Sequence, residues 1–227
     1  LGTYFGGLNY YHPLKNRFKH LKQIPYHNSL NDNVVSCIVE DKDKNIWIGT
    51  NDRGLNLYNP NTKVFTHYML QEGSPSSIAS NNIKAVYIDE KNDLVYIGTH
   101  TGGLSVLHRK SKQVNHYTPK SCNLTDENVY AILPGDNNTL LLGTLNGLVL
   151  FDPQKKEFHP IPTDNQGNKI KNNRITVLFK DSQKRLWIGG ENGLSTYKTN
   201  GTVLEKQNII DNDSCLLYTS PSPRDGL

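Results

Sequence analysis

Cysteine is scarce in this chain: three residues in 227, at positions 37, 122 and 215. They form no CxxC pair and no zinc-ligand spacing, so neither a disulfide framework nor a zinc centre is expected to organise the fold. Cys37 lies inside an apolar run and reads as a small core residue. No apolar run reaches the ~18 residues that would span a bilayer as a helix. The formal charge is only +4, without the clustered basic stretch that nucleic acid recognition needs, so no nucleic acid partner is expected. There is no GxSxG, HExxH, Walker loop or dinucleotide fingerprint. No catalytic residue, metal ligand or cofactor is therefore assigned.

What the chain has in quantity is a repeat. "NIWIGTNDRGLNLYNP" (45–60) returns as "LVYIGTHTGGLSVLHR", "LLLGTLNGLVLFDP" and "RLWIGGENGLSTYK", and a variant, "LGTYFGGLNYYHP", opens the sequence. With the glycine of each Gly-Thr as anchor (Gly2, Gly49, Gly98, Gly143, Gly189), the spacings are 47, 49, 45 and 46 residues. A period in the mid-forties marks an array of small units. The triplets before the anchors, such as Ile46-Trp47-Ile48 and Leu186-Trp187-Ile188, are short, apolar and end at glycine. They read as strands buried on both faces.

Another apolar run precedes each triplet through a polar turn, and two more follow through a glycine turn and a second polar turn. That makes four antiparallel strands per unit, the blade of a β-propeller. Gly54, Gly103, Gly147 and Gly193 are placed where the turn between strands two and three needs positive φ. Trp47, Tyr96, Leu141 and Trp187 are expected to pack blade against blade. The expected organisation is a partial blade at 1–28 (its last two strands), full blades at 29–74, 75–122, 123–165 and 166–213, and a non-native tail at 214–227. The ring is expected to be incomplete, a fragment of a larger, seven-bladed propeller.

The repeats resemble the two-component regulator propeller repeat, whose core runs D-x-x-x-x-[IL]-W-[IL]-G-T-x-x-G-[LI]. The stretches from Asp41 to Leu55 and from Asp181 to Leu194 match best, while Tyr96, Leu141 and Gly190 depart from the pattern. The resemblance implies the extracytoplasmic sensor of a hybrid histidine kinase, as in gut bacteria that detect polysaccharide breakdown products. It further implies a periplasmic location on an inner-membrane-anchored protein, downstream sensor and kinase domains, and a homodimer. The alternatives are a propeller enzyme acting on polysaccharide, whose raw material would be His100 and Glu191, and a protein-interaction propeller.

Asp41, Glu90 and Asp181 each stand eight residues before an anchor and are expected to cap backbone N–H groups in the first hairpin turn. His20, His67 and His116 each fall 18 residues after an anchor. That puts them in the outermost strands, where blades diverge and tetrahedral ligation cannot gather them. One face of the propeller carries the lysine-rich turns, with Lys15, Lys42, Arg109, Lys110 and Lys112 among them. The other carries polar, near-neutral turns and long loops rich in Asn, Ser and Thr. This second face is the expected binding face. Its candidate oligosaccharide-binding residues are Asn51, Asp52, Arg53, His100, Thr101, Asn146, Glu191 and Asn192. Arg53 stands out, because its planar fork suits a carboxylate or sulfate.

Overall fold

The computed structural model describes residues 2–3, 7–12, 17–161, 163–167, 170, 174–200 and 203–207, and among these it is all β. The first sheet holds β1 (Gly2–Thr3), β2 (Gly7–His12) and β3 (Arg17–Leu21). The second holds β4 (Val35–Glu40), β5 (Ile46–Thr50), β6 (Leu55–Asn59) and β7 (Val64–Tyr68). The third holds β8 (Ile83–Asp89), β9 (Leu94–Thr99), β10 (Leu104–His108) and β11 (Val114–Tyr117). Then come β12 (Val129–Pro134), β13 (Leu140–Thr144), β14 (Gly147–Asp152) and β15 (Glu157–Ile161). The last sheet is β16 (Ile175–Lys180), β17 (Arg185–Gly190), β18 (Gly193–Asn200) and β19 (Val203–Gln207).

All pairs within the sheets are antiparallel, and the first strands β4, β8, β12 and β16 adjoin one another in that order. Each sheet runs outward from this inner row. The result is an arc of a β-propeller, not closed into a ring among the described residues. The opening sheet has one strand more than expected. Gly2 pairs with Leu8 as Gly49 pairs with Leu55, so β1 is already the end of a second strand. The tail 214–227 and Lys15 lie outside the described residues.

The anchor glycines are explained by what a side chain would strike. A Cβ on Gly49 would stand 2.5 Å from Cys37 Sγ and 2.8 Å from Ile83 Cγ2. On Gly98 it would stand 2.6 Å from the Val129 carbonyl oxygen, and on Gly143 2.6 Å from Ile175 Cγ2. Ile83, Val129 and Ile175 open or adjoin the inner strand of the following sheet and are fully buried. Glycine is what lets consecutive blades close on each other. At the turn between the second and third strands, Gly54 has φ +79°, and a Cβ there would run into the Tyr68 carbonyl.

Around each glycine the blades share their cores. Trp47, 1% exposed, stacks on Tyr68 and packs with Ile83, Ile97 and Leu107 of the next sheet. Tyr96 does the same with Leu140, Phe151 and Phe158, and Leu141 with Ile175, Leu186 and Tyr197. Burial of each such side chain contributes about 1.5–3 kcal/mol. The fourth copy differs. Trp187 is only half-buried, with the Arg185 guanidinium 5.5 Å from its ring, and Val177, Phe179 and Leu194 are about half exposed.

The first hairpin turns carry a carboxylate latch. Asp41 Oδ1 accepts the N–H groups of Asp43 and Asn45 (3.0 and 2.9 Å), and its Oδ2 accepts Trp47 Nε1–H (3.1 Å). Asp181 repeats this with Gln183, Arg185 and Trp187, each at 2.9 Å. Glu90 does not cap its own turn. Asp89 does so, accepting the N–H groups of Lys91 and Asn92. Glu90 reaches the preceding sheet and accepts the Lys42 N–H at 2.8 Å. There it meets Arg109, 14% exposed, which pairs with Asp41, Asp43, Glu90 and Asp93 at 2.8–3.5 Å. One guanidinium thus clamps two blades on the lysine-rich face, and it is fully engaged there. His67 and His116 lie in the outermost strands β7 and β11, beside the Ser29 carbonyl and Ser105 Oγ.

Candidate ligand-binding face

Opposite the clamp, the turns between second and third strands meet the loops that join one blade to the next. Turns and loops are tied together by hydrogen bonds between the backbone of one and side chains of the other. The Asp52 N–H donates to Asp32 Oδ2 (3.2 Å), the Thr101 N–H to Asn128 Oδ1 (3.1 Å), and Asn146 Nδ2 to the Thr125 carbonyl (3.3 Å). Thr101 takes a left-handed backbone, φ 66°. Glu191 is exposed and pairs with Arg174 at 2.8 Å, and Asn192 is exposed beside it. Of the eight candidate residues, Asp52 and Thr101 (through their backbone N–H) and Asn146 are thus partly engaged in holding loops. Asp52 is exposed.

Arg53 stands apart. Its carbonyl accepts from Asn31 Nδ2, while its guanidinium has no hydrogen bond or ion pair among the described residues. It lines a cleft of about 220 Å³ with Ile24, Tyr26, His27, His67 and Met69. Tyr26 is fully exposed on a left-handed backbone of φ 61°. A free guanidinium beside an exposed ring is suited to a polar ligand with an anionic group.

Asn51 and His100 are drawn together through two residues that the sequence reading did not single out. Lys84 Nζ donates to Asn51 Oδ1 at 2.8 Å and lies 5.6 Å from the centre of the Tyr130 ring. Tyr130 meets His100 edge to face at 6.1 Å, with its hydroxyl 3.4 Å from His100 Nδ1. Asn51, Lys84, Tyr130 and His100 come from three successive sheets. Burial pushes the Lys84 ammonium below the usual lysine range, and the charge of Asp52 works against that shift. The signal was present: Lys84 interrupts the apolar run "IKAVYI", and Tyr130 holds the matching place in "VYAIL".

With this geometry in hand, relatives can be compared. The model of the two-component regulator propeller matches residues 29–52 and 169–192. Two of the repeats, those at 29–52 and 169–192, are thus similar to the two-component regulator propeller repeat. Both matched segments run from an inter-blade loop through the inner strand and the Asp–Trp latch to the second-to-third-strand turn, and they are the two copies that hold both latch residues. A histidine kinase of Formosa agariphila, "Histidine kinase P4", is 25% identical over 211 residues, covering 88% of this chain and 15% of that protein.

The extracellular domain of a Bacteroides thetaiotaomicron protein assigned as a hybrid two-component system superposes with a TM-score of 0.75 at 21% identity. That match covers 88% of this chain and 27% of the other. A second such domain from the same organism gives 0.69 at 24% identity, covering 86% and 25%. The chain therefore spans about one-seventh of its kinase relative and about a quarter of each solved domain, and shares their propeller fold.

Proposed function

We propose that these repeats belong to the extracytoplasmic, ligand-sensing propeller of a hybrid two-component histidine kinase. In this reading the segment lies in the periplasm, on a protein anchored in the inner membrane. It binds an oligosaccharide released from a polysaccharide and performs no chemistry itself. The signal passes to sensor and kinase domains elsewhere in the protein, within a homodimer. The observation that carries the reading is the repeat match at 29–52 and 169–192, on a scaffold that offers polar groups from successive blades on one face. The kinase relative and the two extracellular domains of the same fold support it.

The test is calorimetric titration of the complete extracytoplasmic region with a panel of neutral and acidic oligosaccharides. Arg53→Ala and Asn51→Ala are expected to weaken binding about tenfold or more, the scale of one lost charged hydrogen bond. Unchanged affinity in both, with loss in Lys42→Ala or Lys110→Ala, would place the ligand on the opposite face. Turnover of a sugar that depends on His100 or Glu191 would replace the sensor with an enzyme.

A further inference from the structure

Each of the four complete sheets breaks register at the same place. The pairing of inner and second strands skips one residue between Val35 and Cys37, Ile83 and Ala85, Val129 and Ala131, and Ile175 and Val177. The skipped residues are Ser36, Lys84, Tyr130 and Thr176. A bulge leaves one residue out of the ladder and re-aims its side chain, which is why bulges gather next to functional sites. The residues ahead of the bulge are all β-branched (Val35, Ile83, Val129, Ile175), and three of the four after it are small (Cys37, Ala85, Ala131), with Val177 the exception. The bulge residue itself changes from hydroxyl to ammonium to phenol and back to hydroxyl. Shape is repeated here while chemistry is varied.

Because the inner strands adjoin, the bulge residues of neighbouring blades can meet, and two of them do: Lys84 approaches Tyr130. An ammonium has three N–H donors. Among the described residues Lys84 uses one, on Asn51, and makes no ion pair. A half-buried cation that makes no direct ion pair, with only the more distant charge of the exposed Asp52 acting on it, is costly, and a ligand anion would relieve that cost. Asn51, Tyr130 and His100 surround the position with further hydrogen-bonding groups.

We infer that the inner-strand bulge is the ligand-reading position of this repeat, and that Lys84, with Tyr130, Asn51 and His100, binds the carboxylate or sulfate of an acidic sugar. The inference rests on the sensor reading and sharpens it. It places the anion on the inner strands, separate from Arg53.

The test titrates the complete extracytoplasmic region with three tetrasaccharides: a galacturonate, a sulfated galactan and a neutral xylan fragment. The wild type is expected to bind one of the two anionic probes, and which one identifies the group as carboxylate or sulfate. Lys84→Met should weaken that binding by about tenfold to a hundredfold, the range for a charge-assisted hydrogen bond. Lys84→Arg should retain most of it, and the melting temperature of Lys84→Met should not fall. Anion binding that survives Lys84→Met, binding of the neutral probe alone, or a Lys84→Met variant that melts earlier and binds unchanged would overturn the inference and leave the sensor reading standing. Binding of none of the three would overturn both.

Discussion

Adding one methyl group at the anchor glycine should have opposite effects in two blades. On Gly98 a new Cβ would lie 2.6 Å from the Val129 carbonyl oxygen, 3.0 Å from Val129 Cγ1 and 3.3 Å from the Val129 carbonyl carbon. Most of that obstacle is backbone at the start of β12 and cannot rotate away, so the third and fourth sheets must separate. Overpacking of this kind costs about 1–3 kcal/mol, or roughly 2–12 °C in melting temperature for a chain of this size. On Gly189 the nearest atoms are Val177 Cβ at 3.5 Å, Leu194 Cδ1 at 3.9 Å and the Val177 carbonyl at 4.0 Å, all ordinary contacts. There Gly189→Ala should stabilise by about 0.4–1 kcal/mol, by restricting the unfolded chain. Gly49→Ala and Gly143→Ala, whose closest obstacles are side chains, should fall between these limits. Urea midpoints followed by circular dichroism would rank the four variants. Equal losses at Gly98 and Gly189, or a larger loss at Gly189, would refute close approach of the next blade as the reason for glycine. In a longer chain that packs a further sheet on β16, Gly189→Ala should become as costly as the others.

The latch carboxylates predict a pH dependence. Burial opposes ionisation of both, but the bonds from Trp187 and Arg185 hold Asp181 at about 2, and those from Asn45 and Trp47, with Arg109, hold Asp41 below the usual 3.8. Folded-state values lowered in this way give stability that is complete above the unfolded value near 3.8 and lost as pH falls from there toward 2. The only two tryptophans, Trp47 and Trp187, donate to these carboxylates, so their fluorescence should follow the loss. A signal and urea midpoint unchanged from pH 5 to pH 2.5 would contradict the latch. Arg109→Ala, which strips the cation from four carboxylates, should cost about 3 kcal/mol or more in denaturant unfolding. Lys44→Ala, which removes only an exposed pair with Glu40, should cost under about 1 kcal/mol. Comparable losses in the two variants would show that Arg109 is no clamp.

The blade was legible in the sequence because its determinants are local and periodic. Glycine before a turn, an apolar triplet and a polar hairpin recur every mid-forties residues, and each recurrence reinforces the others. The positive φ of Gly54 and the packing of Trp47 and Tyr96 followed from position alone. The role of Glu90 did not, because its partners Lys42 and Arg109 are 48 and 19 residues away along the chain. Counting back from an anchor aligns turns within one blade and says nothing of contacts between two. Lys84 and Tyr130 escaped notice for a related reason. A bulge is a property of two paired strands, and a polar residue in an apolar run gives no sign of which face it takes until the register is known.

The exposed face formed by Val177, Phe179 and Leu194 is the counterpart of faces that, in earlier sheets, enter a contact whose two halves are unlike. One sheet offers its anchor glycine and aromatic residue, and the next inserts a β-branched residue from its inner strand. Such head-to-tail contacts have no built-in end: they stop when the accumulated rotation brings the last sheet back to the first, and otherwise they continue. A molecule with this face uncovered is therefore a growth point, able to accept the complementary face of another copy. For these repeats, ring closure is a condition of solubility as much as of shape.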